Sequence, residues 1–270
     1  CENTFLNTWS YANPYNQKGG KEFCDLVAIF ENHMFIFFDR EKMLDFDSKV
    51  DPSVQWDRWK RKVVKAQIKT CHGAERYIRN GGELFLDPEC KVPFPIKFDT
   101  RNISIHKVII ANGAMDACIK FSSENMNGSI GIIYKDANSI AGFDFPFLLE
   151  LDKNNPVHLF DEYNFPLVLK EVDTFKDFLD YITEKENAIK SLDYLSYCGE
   201  EDLLANYLMN FDSTSKKHFI GSLTEKYNGL YIAEGEWNDF EKSPAYSSRK
   251  KANESSYLWD DLIKHTLNNA

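Results

Sequence analysis

The sequence predicts an α/β protein in which helices flank a mixed central sheet and a mainly helical part follows. Three patterns carry that reading. Two apolar runs meet across a short polar turn between Glu22 and Lys42, a long proline-free stretch of helical periodicity comes next, and short β-rich runs then continue to Lys170 before the pattern turns helical. The expected organisation is an α/β core over residues 1–172 and a helical region over residues 173–270 packed on it.

The first pattern is a strand pair. Glu22-Phe-Cys-Asp25-Leu-Val-Ala-Ile-Phe30 is mostly apolar, Glu31-Asn-His33 makes the turn, and Met34-Phe-Ile-Phe-Phe38 leads into Asp39-Arg40-Glu41-Lys42. Side chains alternate along a strand, so Asp39 and Glu41 share one face and Arg40 and Lys42 the other. A hairpin sets Asp25, at the start of its first strand, beside Asp39, near the end of its second. Three carboxylates at Asp25, Asp39 and Glu41 can then converge on a hard divalent cation, Mg²⁺ or Mn²⁺, with waters completing its shell. Acids at strand ends that simply meet solvent are the competing account.

The second pattern runs from Trp56 to Arg79. At about 100° per residue, Arg58, Arg61, Lys62, Lys65, Lys69, His72, Arg76 and Arg79 fall in a sector about 100° wide, and Lys60 strays from it. Trp56, Trp59, Val63, Val64, Cys71, Ala74, Tyr77 and Ile78 occupy much of the opposite side. A solvated charged face is the usual account of such a stripe, while the scarcity of acids on that face is what favours phosphate contact. Gln67 falls in the middle of the apolar face, where a buried amide needs partners: backbone at a strand edge, or a catalytic sheet.

Composition narrows the function classes. The chain has 270 residues, 43% of them hydrophobic, and a formal net charge of −10, which argues against a protein that coats nucleic acid nonspecifically. Any nucleic-acid contact is therefore local to the basic helix. No apolar run is long enough to span a bilayer, and the N-terminus lacks a secretory pattern, so a soluble, cytoplasmic protein without membrane partners is expected. Beginning at Cys1 without methionine, the chain reads as a processed or truncated stretch. Six scattered cysteines, with no Cys-x-x-Cys pair and no histidine cluster of metal-ligand spacing, read as reduced thiols. No phosphate-binding Gly-rich loop or nucleophile elbow is present, and Cys71 and His72, adjacent on a helix, point apart.

An acid on one strand, a short hairpin, an acid and a second charged residue at alternating positions on the next strand, and then a helix together resemble the PD-(D/E)XK phosphodiesterase core. The resemblance implies a restriction-endonuclease-like core, a DNA substrate, Asp25 and Asp39 as ligands of Mg²⁺ or Mn²⁺, and Gln67 as a group facing the catalytic sheet. It also implies a lysine two positions beyond Asp39, where this chain has Glu41. Three explanations stay open. Glu41 is a glutamate variant, a strand bulge brings Lys42 onto the catalytic face, or Arg40 stands where relatives have lysine and the site is degenerate.

Phe5-Leu-Asn-Thr-Trp9-Ser-Tyr-Ala-Asn-Pro14-Tyr, Lys21 to Asp25, Trp56-Asp-Arg-Trp59, Gly73 to Tyr77, Val157 to Asp161, Glu171 to Thr174 and Gly199 to Leu204 are similar to a poorly characterised bacterial, nuclease-like family. That resemblance covers most of the chain and implies, by association, a role in antiviral defence, with a protein partner in a defence complex. The alternative is a scaffold or sensor subunit that has lost catalysis.

Beyond the basic helix, Glu83 to Asp87, Ile105 to Ala111, Gly128 to Tyr134 and Phe145 to Glu150 read as strands. Val157 to Asp161 and Phe165 to Lys170 read as a hairpin around Asn164, with which the sheet content ends. A helix capped by Asp173 or Thr174 starts at Phe175, and another runs from Glu200 toward Phe211. Its opening Glu200-Glu201-Asp202 reads as first-turn acids favoured by the helix dipole rather than as a second metal cluster. Residues 212–256 are rich in Ser, Lys, Asn and Glu, and a last helix begins at Tyr257.

Overall fold

A computed structural model describes residues 2–45, 49–122, 127–136, 145–222 and 228–268. The chain opens with α1 (Glu2–Trp9), β1 (Ser10–Ala12), β2 (Tyr15–Asn16), β3 (Lys21–Glu22), β4 (Leu26–Phe30) and β5 (His33–Glu41). The basic stretch forms α2 (Pro52–Lys60), a π turn (Arg61–Lys65) and α3 (Ala66–Arg79). After it come β6 (Leu84–Phe85), β7 (Ser104–Asn112), α4 (Met115–Phe121), β8 (Gly131–Lys135), β9 (Leu148–Asp152) and β10 (His158–Phe160). The remainder is α5 (Asn164–Glu171), α6 (Phe175–Ser191), β11 (Tyr194–Tyr197), α7 (Glu200–Met209), β12 (Phe211–Asp212), β13 (Lys217–His218), β14 (Gly229–Ile232), α8 (Glu236–Glu241) and α9 (Pro244–Asn268).

The main sheet has the order β1-β4-β5-β7-β10. Only β4 runs against its neighbours: it is antiparallel to β1 and β5, whereas β5, β7 and β10 are parallel to one another. One face carries Phe35 and Phe37, on which Phe5 of α1, Phe165 of α5 and Phe178 of α6 pack at ring-centroid distances of 5.2–6.4 Å. The other face receives α3, whose Glu75 meets the buried Lys107 of β7 at 2.6 Å. Helices thus cover both sides of a mixed sheet, the α/β class expected.

A second sheet, β14-β11-β8-β9, combines strands from both halves of the chain: β8 pairs with β9 in parallel and with β11 in antiparallel, and β11 pairs in parallel with β14. Residues 173–270 therefore do more than pack on a finished core. They supply two strands of this sheet and the helix α6, which touches both sheets. The sheet content expected to end near Lys170 continues because Leu195, Tyr197 and Ile232 bury alternate side chains.

One expected hairpin is replaced by a helix. The apolar run Phe165 to Lys170 forms α5, with Pro166 in its first turn, where a missing N–H costs nothing. Asp161 Oδ1 accepts the amides of Tyr163 and Asn164 at 3.0 and 2.9 Å, satisfying donors that the helix start would leave bare. The last helix begins at Pro244 rather than Tyr257. Among the described residues, no helix is long and apolar enough to cross a membrane.

Between the two sheets lies a buried ion pair. Lys185 of α6 is fully buried and its Nζ donates to both oxygens of Glu200 at 2.7 and 2.6 Å, while Tyr181 and Tyr197 donate their hydroxyls to the same carboxylate. The ammonium also stands 5.2–5.7 Å from the ring centroids of Tyr134, Phe160 and Tyr197. Glu200 is thus explained by a partner rather than by the helix dipole alone. Removing one charge strands the other in low dielectric, so Lys185→Ala is expected to cost about 3–5 kcal/mol in urea unfolding. The pair Lys185→Met with Glu200→Gln should recover much of that loss, and a loss below about 1 kcal/mol in the single variant would contradict this reading.

Candidate functional site

At the carboxyl end of β5 the predicted acids come together. Asp25 precedes β4 and its amide donates to Phe37 O at 3.0 Å, which pins it opposite the end of β5. Its Oδ2 in turn accepts the Asp39 amide at 2.8 Å. Asn112, the last residue of β7, donates Nδ2 to Asp39 Oδ1 at 2.9 Å. Desolvation first, then the charges of Asp25 and Glu41, push the Asp39 carboxyl above its usual range. Negative charge is therefore crowded at an edge where Asp39 and Glu41 are both exposed.

Asn112 Oδ1 is the informative atom. It is buried and has no hydrogen-bond partner among the described residues, while its amide nitrogen is committed to Asp39. A buried acceptor left bare beside crowded carboxylates is what a hard cation or its water shell would satisfy. Asp25, Asp39 and Asn112 therefore offer oxygen donors that suit Mg²⁺ or Mn²⁺. Among the described residues, the group of three metal-type side chains whose ligand atoms all lie within 4.8 Å of one another does not include Asp25, Asp39 and Glu41.

Lys42 does not join them. The β5–β7 register runs unbroken from His33↔Ser104 to Glu41↔Asn112, so no bulge turns Lys42 onto the acid face. It stays on the face of Arg40. There desolvation, contact with Lys62 and the charge of Arg40 lower its pKa. Trp59 Nε1 donates to Lys42 O at 2.6 Å and ties the start of the basic helix to this strand end. Gly113, at φ +98°, passes so close to Lys42 that an added Cβ would lie 2.5 Å from its carbonyl oxygen.

Gln67 is half-buried and its side-chain amide makes no hydrogen bond with the described residues, so nothing links it to the acids. The π turn over Arg61–Lys65 explains the difference from expectation, because each wider turn rotates the residues after it away from a 100° repeat. Val63, Val64, Cys71, Ala74 and Ile78 are the buried positions that result. Arg58, Arg61, Lys62, Lys65, Lys69 and Arg76 are all exposed. Their helix covers the sheet face opposite Asp39, so only its first turns, near Lys42 and Lys62, adjoin the acid edge.

Two polar groupings have no sequence signal. Asp161, Glu201 and Asp202 are buried where β10 and β11 end, although the first-turn position of Glu201 and Asp202 suggests ordinary exposed acids. Asn127 donates to Glu201 Oε1 at 3.3 Å and the Trp237 amide to Asp202 Oδ1 at 2.9 Å. Desolvation and the charge of Glu201 raise Asp161 to about 7, and desolvation with Glu201 close by does the same for Asp202. At the opposite end of the sheet, His33, His106 and His158 of the three parallel strands line up with Glu186 of α6. Their positions are scattered through the chain, so no spacing motif could reveal them; only the strand register brings them together.

No family model, curated protein or solved structure matches this chain. The functional reading therefore rests on its own geometry.

The buried acids make one expectation about pH. A carboxyl with a folded pKa near 7 and an unfolded value near 4 holds its proton more tightly in the folded chain, so the stability it contributes is complete at low pH and lost as pH rises through about 7. The histidines whose pKa is lowered by burial, His33, His72, His158 and His218, act in the opposite sense over the same range, because the unfolded chain binds protons that they release on folding. The carboxyl contribution is therefore read as a difference: the urea midpoint of the wild type minus that of Asp161→Asn should fall between pH 6.5 and about 8. A difference that rises over that window would contradict it.

Proposed function

We propose that the chain is a divalent-metal-dependent phosphodiesterase acting on DNA, with Asp25 and Asp39 as the metal ligands. The observation that carries this reading is the meeting of Asp25, Asp39 and the bare Oδ1 of Asn112 at the carboxyl ends of adjacent strands. Ligands of open α/β sheets bind outside the carboxyl ends of the strands. The order of acid before β4, acids on β5 and then helix is the one implied by the resemblance to PD-(D/E)XK enzymes.

Asp25 and Asp39 would hold Mg²⁺ or Mn²⁺, which supplies charge neutralisation at the scissile phosphate and a more acidic bound water. The chain's own groups position the rest. Asp25 is oriented by the Asp39 amide, and Asp39 by Asn112. Glu41, on the same strand face two residues on, takes the place of the usual lysine and accepts the proton of the attacking water. Arg40, Lys42, Arg58 and Lys62, on the adjoining face, contact the phosphates that flank the cut. Lys65, Lys69 and Arg76 extend that phosphate-binding surface away from the edge.

A second reading has its own observation: Lys42 is turned away, so the acid edge lacks the lysine that the resemblance implies. On that account the chain is a catalytically inactive scaffold or sensor that binds nucleic acid or a protein partner, and a place in antiviral defence is compatible with both readings.

Cleavage of supercoiled plasmid with Mg²⁺ or Mn²⁺ separates them. The wild type should nick or cut, and Asp25→Asn and Asp39→Asn should each lose about 100-fold or more, since even outer partners of a metal cost about 10- to 100-fold. Folded wild type that leaves plasmid intact favours the scaffold. In binding assays without metal, replacing Lys62, Lys65 and Lys69 with alanine should flatten the slope of log K against log salt by about 0.9 for each duplex phosphate that is no longer neutralised. An unchanged slope would remove the basic helix from the interface.

A further inference from the structure

We infer that His106, His158 and Glu186 form a zinc site at the amino ends of the parallel strands, with His33 positioning His106. Each of the three offers one ligand atom, and these atoms all lie within 4.8 Å of one another. The site is independent of the acid edge, at the other end of the sheet.

The fold builds it from three elements. The β7–β10 register pairs His158 with Val108, which sets His106 and His158 on the same face of neighbouring strands. The next parallel pairing aligns Phe35 with His106, and their rings stack at 4.5 Å. α6 then brings Glu186 over the pair, its Oε1 2.8 Å from His106 Nδ1 and 2.9 Å from His158 Nε2. His106 uses its second nitrogen on His33 Nδ1 at 2.9 Å, the kind of outer partner that fixes a ligating imidazole. His106 and His158 are buried, whereas the Glu186 side chain is 31% exposed and opens the site to solvent.

The donor set decides the class of ion. Two imidazoles and one carboxylate suit Zn²⁺ and related transition ions and are poor for Mg²⁺ or Ca²⁺. Three protein ligands leave a fourth position for water on the Glu186 side, the arrangement of open rather than closed zinc sites. Bond lengths of about 2.0–2.2 Å at a tetrahedral ion require ligand separations of about 3.3 Å, so Glu186 must withdraw by about half an ångström, which a partly exposed helix side chain can do.

A metal-free hydrogen-bonded hub competes with this. In it, both imidazoles donate to Glu186, and His158 Nδ1 is left as a buried lone pair without a partner among the described residues. With zinc on Nε2, that nitrogen carries the proton instead and still has no partner there, so the site should bind about 10- to 100-fold more weakly than one with a full outer shell.

Titration of Co²⁺, a spectroscopic substitute for Zn²⁺, into the whole chain tests the inference. The visible absorption of tetrahedral cobalt should grow to one equivalent, be displaced by Zn²⁺, vanish in Glu186→Ala, and need about 10- to 100-fold more Co²⁺ in His33→Ala. Asp39→Asn should leave it unchanged. Both Glu186 and His33 are partly exposed, so circular dichroism can verify that these variants fold. A folded wild type without the band overturns the inference. So does a band that survives Glu186→Ala, disappears with Asp39→Asn, or carries the charge-transfer absorption of cysteine ligation.

Discussion

The parallel pairing of β5 with β7, nine residue pairs in unbroken register from His33 to Glu41, sets the chemistry at both ends of the main sheet. At the carboxyl end it aligns Glu41 with Asn112, so that Asn112 can reach Asp39; at the amino end it brings His33 and His106 within hydrogen-bonding distance. A slip of one residue would turn every side chain of β5 to the other face. Phe35 and Phe37 would then leave the core against α1, α5 and α6, and Asp39 and Glu41 would move to the face covered by the basic helix. The aromatic packing thus specifies the register, and the register specifies both polar edges.

The same constraint settles the place of lysine. The alternation that puts Asp39 and Glu41 together necessarily puts Arg40 and Lys42 on the reverse face. The tail of the strand is held there by the Lys42 amide bonded to Asn112 O, by Trp59 at the Lys42 carbonyl, and by the close approach of Gly113. Lys42 therefore meets Lys62 and Arg40 and extends the basic surface rather than the acidic one. Acids and cations adjoin at this edge, and among the described residues no ion pair joins Asp25, Asp39 or Glu41 to Arg40, Lys42 or Lys62, an arrangement suited to a cation on one side and a polyanion on the other.

Much of this is legible in local sequence, and what is not has a common cause. The hairpin that places Asp25 beside Asp39 is a local structure, and its apolar runs and polar turn announce it. The helix start at Thr174 is likewise readable, since the cap side chain accepts the Asp177 amide three residues on. The α5 segment reads as a strand because Phe165 to Lys170 is as apolar as one; the telling signals are Asp161 as an amide acceptor and Pro166 in the first turn. Gln67 departs from its expected place because a π turn breaks the assumed repeat. The histidines, the partner of Glu200 and the second sheet depend on pairings between residues far apart in the chain, which no local pattern encodes.

The central claim is that Asp25 and Asp39 act together on a divalent cation, and the Asp39 amide, hydrogen-bonded to Asp25, is a direct reporter of that. A titration of Mg²⁺ followed by amide resonances should shift Asp39 and the side-chain amide of Asn112 saturably, and Asp25→Asn should abolish the response. Resonances at Asp39 and Asn112 that stay in place while the protein remains folded would contradict the account.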